Sequence, residues 1–192
     1  MLSIAISQED VEAALAAGEL ACPRCWGPLS PWGFARSRVV RLRHGTRRVT
    51  PRRACCRACA TTHVLSPAWL VPRRRDGVEV IGEALRLAVA GAGHRVIARQ
   101  LDRPAGTVRG WLRAGRLRAD GLRACATRWA VALDPGLGAV TPAGSELGDA
   151  VEALMLAARA WVLRSGPASA GPWERAVCLT GGLLTGVPAL PP

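Results

Sequence analysis

Four cysteines constrain this chain more than any other feature. Cys22-Pro-Arg-Cys25 and Cys56-Arg-Ala-Cys59 are two Cys-x-x-Cys pairs with 30 residues between Cys25 and Cys56. A two-residue gap brings both sulfurs of a pair to one side of a tight turn, and two such turns face to face complete a tetrahedral donor set. The sequence between them is patterned to fold back on itself. Arg36–Arg43 is β-prone and partly alternating, His44-Gly45 is a turn signal, and Thr46 to Arg53 is a second extended stretch. A small antiparallel hairpin is expected, with Pro51 at a strand end or an edge.

This pattern predicts one structural Zn2+ held by Cys22, Cys25, Cys56 and Cys59, with no coordination position open for a catalytic water. Cys55 competes with Cys56, but its three-residue gap to Cys59 makes Cys56 the preferred ligand; His63 could substitute for a ligand and is not required. Redox chemistry by one pair would call for a thioredoxin-like βαβ context, which the pattern lacks. The apolar content of 22–65 is small, so the ion is expected to supply most of that module's folding free energy, on the order of 10 kcal/mol. Cys125 and Cys178 stand alone and read as buried thiols.

Charge narrows the choice of partner. The 192 residues include 26 arginines and no lysine, against 14 acids, for a formal net charge of +12. Residues 20–75 hold thirteen arginines and no acid, and 76–128 hold ten arginines and five acids, while 1–19 and 129–192 are net acidic. A GC-rich genome accounts for arginine in place of lysine, but not for acids vanishing from one stretch. A field of one sign confined to part of a chain favours a polyanion. No apolar run approaches the ~20 residues that cross a bilayer. Glu9, Asp10, Glu12 and Glu19 occupy the start without a basic n-region, which argues against a secretory signal. The expectation is a soluble cytoplasmic, nucleoid-associated protein with no membrane partner and reduced cysteines.

Four segments are expected. Residues 1–19 form an N-terminal helix with Ser7 as N-cap, Gly18 as stop, and Val11, Ala14 and Leu15 on its apolar face. Residues 20–71 form the zinc ribbon. Residues 72–128 form a helix-turn-helix region, opened by a capping-box spacing at Asp76-Gly-Val-Glu79. Its helices carry Val80, Ile81, Ala84, Leu85 and Ala88, then Ile97, Ala98 and Leu101, then Val108, Trp111 and Leu112, with a further helix at about 120–133. Residues 129–192 form a helical C-terminal region with an amphipathic helix at 146–164 and a last helix at 173–187. The fold class is therefore mainly α with a small β zinc ribbon: an N-terminal zinc-ribbon hairpin, then a helix-turn-helix, then a helical tail.

Gly93–Arg113 has the layout of a DNA-reading helix pair. Ala98 is small where two helices must approach, and Val108 follows ten residues later. The second helix would enter the major groove while the first crosses the backbone. Its outer face would present Gly106, Thr107, Arg109, Gly110 and Arg113. Arginine is suited to bidentate contact with guanine or phosphate, and Thr107 could reach a phosphate or a thymine methyl. Arg95 and Arg99 on the first helix, and the arm Arg73-Arg74-Arg75, complete the expected nucleic-acid contacts. Asp102 stands in the turn where glycine is common, and Pro104 occupies the usual capping position.

Cys-Pro-x-Cys, Pro31-Trp-Gly33, Arg52-Arg53 ahead of the second pair, Thr62-His63 after it, and Thr107-Val-Arg-Gly-Trp-Leu-Arg113 together carry a resemblance. The chain resembles a family of actinobacterial zinc-ribbon/helix-turn-helix proteins similar to the N-terminal DNA-binding head of insertion-sequence transposases. In transposases such a head binds the element's terminal repeats, and cleavage comes from a following domain with three carboxylates on an RNase H-like sheet. Here the acids after Arg128 (Asp134, Glu146, Asp149, Glu152 and Glu174) fall in helical or loop sequence, so no nuclease or other enzyme is expected.

The function expected from these residues is non-catalytic binding of double-stranded DNA, as a transposase-like head or a transcription regulator. The helical tail would pack on the core or mediate a homodimer. Two alternatives remain. One is RNA binding by a basic zinc ribbon, for which Trp26, Trp32 and Trp69 are the available stacking residues. The other is an adaptor that docks on a protein partner.

Overall fold

The computed structural model describes residues 2–4, 8–138, 140–166 and 170–181. Strand β1 (Leu2–Ile4) and helix α1 (Gln8–Ala16) precede a β-rich segment: β2 (Leu29–Phe34), β3 (Arg38–Arg41), β4 (Thr46–Val49), β5 (Arg52–Cys56) and β6 (Thr62–Pro67). Helices α2 (Val78–Val89), α3 (His94–Leu101), α4 (Ala105–Leu133), α5 (Glu146–Ser165) and α6 (Pro172–Thr180) follow. The chain is thus about half helical, with a small sheet at its N-terminal end. Among the described residues, no helix is long and apolar enough to cross a membrane.

The expected hairpin is present as β3–β4, with Arg41 opposite Thr46 and Arg38 opposite Val49. It is only part of the β structure. A separate four-stranded sheet has the order β1-β6-β5-β2, antiparallel except for β1 on β6. Prolines and glycines mask β2 in the sequence, but Pro31 and Gly33 sit on an edge strand where the register shifts. The second cysteine pair, read as a metal knuckle, hides the strands β5 and β6 that flank it.

Helix α1 ends as expected at Gly18, which has a φ of +70°. Glu19 N–H donates to Ala14 O and Gly18 N–H to Leu15 O, closing a Schellman motif. The expected cap, Ser7, lies outside the described residues. Val11 and Leu15 of α1 pack with Leu29, Ala54, Leu65, Cys22 and Cys56 into a core of seven buried residues. Arg52 Nε reaches Glu12 Oε1 at 2.7 Å and ties the helix to the sheet.

The larger core is helical. It joins Ile81, Ala84 and Leu85 of α2, Ile97 and Leu101 of α3, Val108, Trp111 and Leu112 of α4, Val151 and Leu154 of α5, and Trp173 and Val177 of α6. The two helices expected across 105–133 are one helix of 29 residues. Gly115 and Gly121 weaken helix propensity there, but Ala119 and Leu122 bury against Ala150 of α5. Packing along α5 therefore overrides local preference. Met155 and Trp161 pack against this core. The last helix stops at Thr180 with Gly181 left-handed at φ +69°, and the rest of the expected 173–187 span lies outside the described residues.

Asp76 departs from its expected role. The N-cap of α2 is Gly77, with no side-chain cap bond. Asp76 is instead 2% exposed and holds two guanidiniums. Arg41 Nη2 reaches its Oδ2 at 2.7 Å and Arg103 Nε its Oδ1 at 2.6 Å. Arg103 also donates to Leu42 O at 2.8 Å, Leu101 O at 3.0 Å and Asp102 O at 2.7 Å. One carboxylate therefore fastens the β3–β4 hairpin to the turn between α3 and α4.

Removing one partner of a buried ion pair leaves the other charge desolvated and uncompensated, at a cost of roughly 3 kcal/mol. Asp76→Ala is expected to lower Tm by about 6–12 °C in a chain of this size, measured by thermal unfolding. Gly82 faces the indole of buried Trp173, and an added Cβ would fall inside that ring's van der Waals envelope. Gly82→Ala is expected to destabilise the α2–α6 contact by about 1–3 kcal/mol, read from a denaturant titration.

Candidate metal centre and basic face

The two cysteine pairs sit on two copies of one turn. Cys22 N–H donates to Gly27 O at 2.8 Å and Trp26 N–H to Cys22 O at 2.8 Å. In the second turn, Cys56 N–H donates to Thr61 O at 2.9 Å and Ala60 N–H to Cys56 O at 3.0 Å. The fifth residue of each turn is left-handed without being glycine: Trp26 at φ +60° and Ala60 at φ +56°. Such a conformation costs roughly 1–2 kcal/mol per residue. Non-glycine strain of this kind persists where the surroundings over-determine it. Gly27 lets the turns meet, since a Cβ there would lie 2.7 Å from Ala58 Cβ and 3.3 Å from Cys56 Sγ.

This arrangement brings the sulfurs of Cys22, Cys25, Cys56 and Cys59 within 4.8 Å of one another. Cys25 and Cys56 are 3.4 Å apart, and Cys22 and Cys59 are 3.8 Å apart. Four sulfurs at about 2.3 Å from a central ion in a tetrahedron would be separated by about 3.8 Å. The donor set fits a four-coordinate thiophilic ion. Cys55 takes no part, because its thiol points to Cys56 O and Ala60 O, 3.7 Å from each. The strand alternation at the end of β5 turns Cys55 and Cys56 to opposite faces.

Neighbouring dipoles support the cluster. Arg24 N–H lies 3.4 Å from Cys22 Sγ, and His63 Nε2 lies 3.3 Å from the same sulfur. His63 is buried and sits beside the four sulfurs as a hydrogen-bond partner, outside the donor set. The Thr61 hydroxyl and amide hold the Cys59 thiol below its ordinary range. Cys125 and Cys178 are far along the chain in the helical part, where burial raises both thiols and takes Cys178 up to about 12.

The second feature is the α3–α4 pair. Asp102 caps α3 in the left-handed region at φ +51°, a conformation that aspartate tolerates better than most residues. Helix α4 starts at Ala105, with Pro104 as its N-cap residue and no side-chain cap. Pro104 O accepts from Thr107 N–H at 2.9 Å and Val108 N–H at 3.2 Å. Ile97, Ala98, Leu101, Val108, Trp111 and Leu112 are buried between the helices and the core.

The polar residues expected at the site are at the surface. Arg95, Arg99, Arg109 and Arg113 are exposed, and Thr107 is half-buried. Arg95 and Arg99 line an open cleft of roughly 870 Å³ together with Asp102, Arg103 and Pro104. Arg109 and Arg113 stand one turn apart on α4. Gly106 and Gly110 are also exposed, and a Cβ at either would meet nothing within 4 Å. Arg73, Arg74 and Arg75 line a different cleft, with Arg38 and Arg41 of β3. Sequence reasoning missed Arg38, Arg41 and Arg103; for Arg41 and Arg103 the reason is that their partner Asp76 carried a local capping pattern that explained it without them.

Of the aromatic residues named from the sequence, Trp26 is 74% exposed and Trp32 57%, and Phe34 beside them is 54% exposed. Trp69 is half-buried, with the Arg47 guanidinium 4.8 Å above its ring.

A family model described as "Domain of unknown function (DUF6431)" matches residues 22–109. The matched stretch takes in all four clustered cysteines, the β3–β4 hairpin, Asp76 and the α3–α4 turn. No curated protein and no solved structure matches the chain.

The chain is expected to bind one divalent ion, counted by elemental mass spectrometry. Serine at Cys22, Cys25, Cys56 or Cys59 should remove it, whereas Cys55→Ser should keep it. Chelation should melt the sheet around the seven-residue core and spare most of the helical signal in far-UV circular dichroism.

Proposed function

We propose that this protein binds double-stranded DNA without catalysing a reaction on it, through a four-cysteine zinc ribbon followed by a helix-turn-helix. The observation that carries the reading is the outer side of α4. Gly106, Arg109, Gly110 and Arg113 are exposed on a helix whose inner side, Val108, Trp111 and Leu112, is buried. Each glycine costs about 1 kcal/mol of helix stability relative to alanine, and among the described residues nothing lies within 4 Å of a Cβ built at either one. Two glycines flanking two arginines suit close approach of the helix to a groove.

In this reading α4 lies in the major groove, with Arg109 and Arg113 reaching guanine edges or phosphates and Thr107 a phosphate or a thymine methyl. Helix α3 crosses the backbone and presents Arg95 and Arg99 to phosphates. Zinc in the cysteine cluster is structural: four thiolates fill its coordination sphere and leave no site for an activated water. The placement of acids argues against nuclease chemistry. Asp134 is the C-cap residue of α4, Glu146, Asp149 and Glu152 lie on α5, and Glu174 lies on α6. A transposase-like head that recognises a DNA terminus, and a transcription regulator, are both consistent with this placement.

The exposed side chains of Trp26, Trp32 and Phe34 favour a second reading, in which the sheet stacks unpaired bases of RNA. Competition between duplex and single strands separates the two.

A labelled duplex titrated with metal-loaded protein should bind in preference to single strands of the same length. Arg109→Ala/Arg113→Ala should weaken duplex binding by about 30-fold or more, at roughly 1–3 kcal/mol per arginine contact, with metal content and Tm unchanged. Gly110→Ala should raise stability by about 1 kcal/mol and weaken duplex binding. Unchanged duplex binding in the double variant, or a preference for single strands abolished by Trp32→Ala, would overturn the proposal.

A further inference from the structure

Between β3 and the segment leading into α2 lies a cleft of roughly 530 Å³, lined by Arg38, Val39, Arg41, Arg73, Arg74 and Arg75. Among the described residues, no carboxylate lines it. Asp76, which follows Arg75 in the chain, is buried, and its two oxygens are engaged by Arg41 and Arg103. Five guanidiniums thus share one cleft, and Asp76, the carboxylate that pairs with Arg41, is shared with Arg103.

The cleft is also built rather than fluid. Arg41 N–H donates to Arg75 O at 2.7 Å and Gly77 N–H to Arg41 O at 2.9 Å, so backbone bonds join the two walls. Arg74 N–H closes a turn onto Val71 O at 3.2 Å, with Arg73 left-handed at φ +59°. Two donors are buried without a partner, Nε of Arg41 and Nε of Arg74. Burial also pulls the Arg38 guanidinium below its ordinary range, a sign that its charge is desolvated as well.

A fold that holds like charges together and leaves their donors unsatisfied is complementary to an anion. A lone carboxylate cannot serve five forks, whereas tetrahedral phosphate oxygens accept bidentate guanidinium bonds from several directions. We propose that this cleft is a phosphate-binding site that takes two or more adjacent phosphate groups. Its link to the other basic cleft identifies their source. Arg41 lines this cleft, Arg103 lines the cleft of Arg95 and Arg99, and both are fastened to Asp76. The two clefts are neighbours across one carboxylate. The site therefore grips backbone phosphates flanking the groove that α4 enters. That assignment of the source rests on the duplex reading, whereas the phosphate chemistry rests on the cleft alone.

The test uses the full metal-loaded chain, with two probes: inorganic tripolyphosphate by calorimetry and a duplex across a salt series. Arg38→Ala/Arg74→Ala leaves Arg41 and its bond to Asp76 intact. It should weaken tripolyphosphate binding at least tenfold and flatten the log Kd against log salt plot by nearly two, at ~0.9 per lost phosphate contact. Arg38→Lys/Arg74→Lys keeps the charge and guards against misfolding; it should retain the salt slope and lose tripolyphosphate affinity. Arginine-dependent tripolyphosphate binding with an unchanged duplex slope would keep the phosphate site and overturn backbone as its source. Arginine-dependent tripolyphosphate binding by a protein that binds no duplex would sustain the site and defeat the function proposed above. If neither probe responds to the substitutions, the phosphate site is overturned.

Discussion

A buried carboxylate between two guanidiniums decides how the parts of this molecule meet. Asp76 accepts Arg41 from the β3–β4 hairpin on one oxygen and Arg103 from the α3–α4 turn on the other. Arg103 spends its remaining donors on the carbonyls of Leu42, Leu101 and Asp102. An isolated charge in such a place would be costly, but here each member is hydrogen-bonded and the geometry is close. The consequence is positional. Whatever orients the hairpin also orients the turn, and the arginines on either side of that contact belong to one surface.

With an ion bound, the four-cysteine cluster would do for the N-terminal sheet what a core does for the helices. The apolar clusters of the β-rich segment are small, seven buried residues around Leu29 and Leu65 and three around Val40 and Leu70, too few to offset the conformational entropy of some fifty residues at ~1–2 kcal/mol each. The same segment also holds two non-glycine residues in the left-handed region, Trp26 and Ala60, at the same place in two equivalent turns. An ion bound by the four cysteines would contribute folding energy at that point and hold both turns in their strained form. The helical part needs no such device, because Trp111, Leu154, Ile81 and their neighbours form a continuous apolar core.

What could be read from the sequence follows from how local each signal is. A two-residue gap between cysteines is local, and the four residues it singles out are those whose sulfurs meet. The β3–β4 hairpin and α5 were legible for the same reason, through alternation and a 3.6-residue period. Strand β2 was not, since Pro31 and Gly33 read as breaks unless one knows that the strand lies at an edge. The unity of α4 was not legible either, because it rests on contacts distant in sequence, such as those of Ala119 and Leu122 with Ala150 of α5, which the glycines at 115 and 121 do not announce. Asp76 is the sharpest case. Its capping pattern with Glu79 was locally sound, and two arginines 35 and 27 residues away outcompeted it.

In the function proposed above, a duplex lies on the surface joining α3, α4 and the arginine clefts. Hydrogen exchange of the metal-loaded protein, with and without a saturating duplex, tests it most directly. Added protection is expected over 93–113, and over 38–41 and 73–75, with none along α5. Protection confined to β2 and the Trp26 turn, or no change anywhere in 73–113, would contradict it.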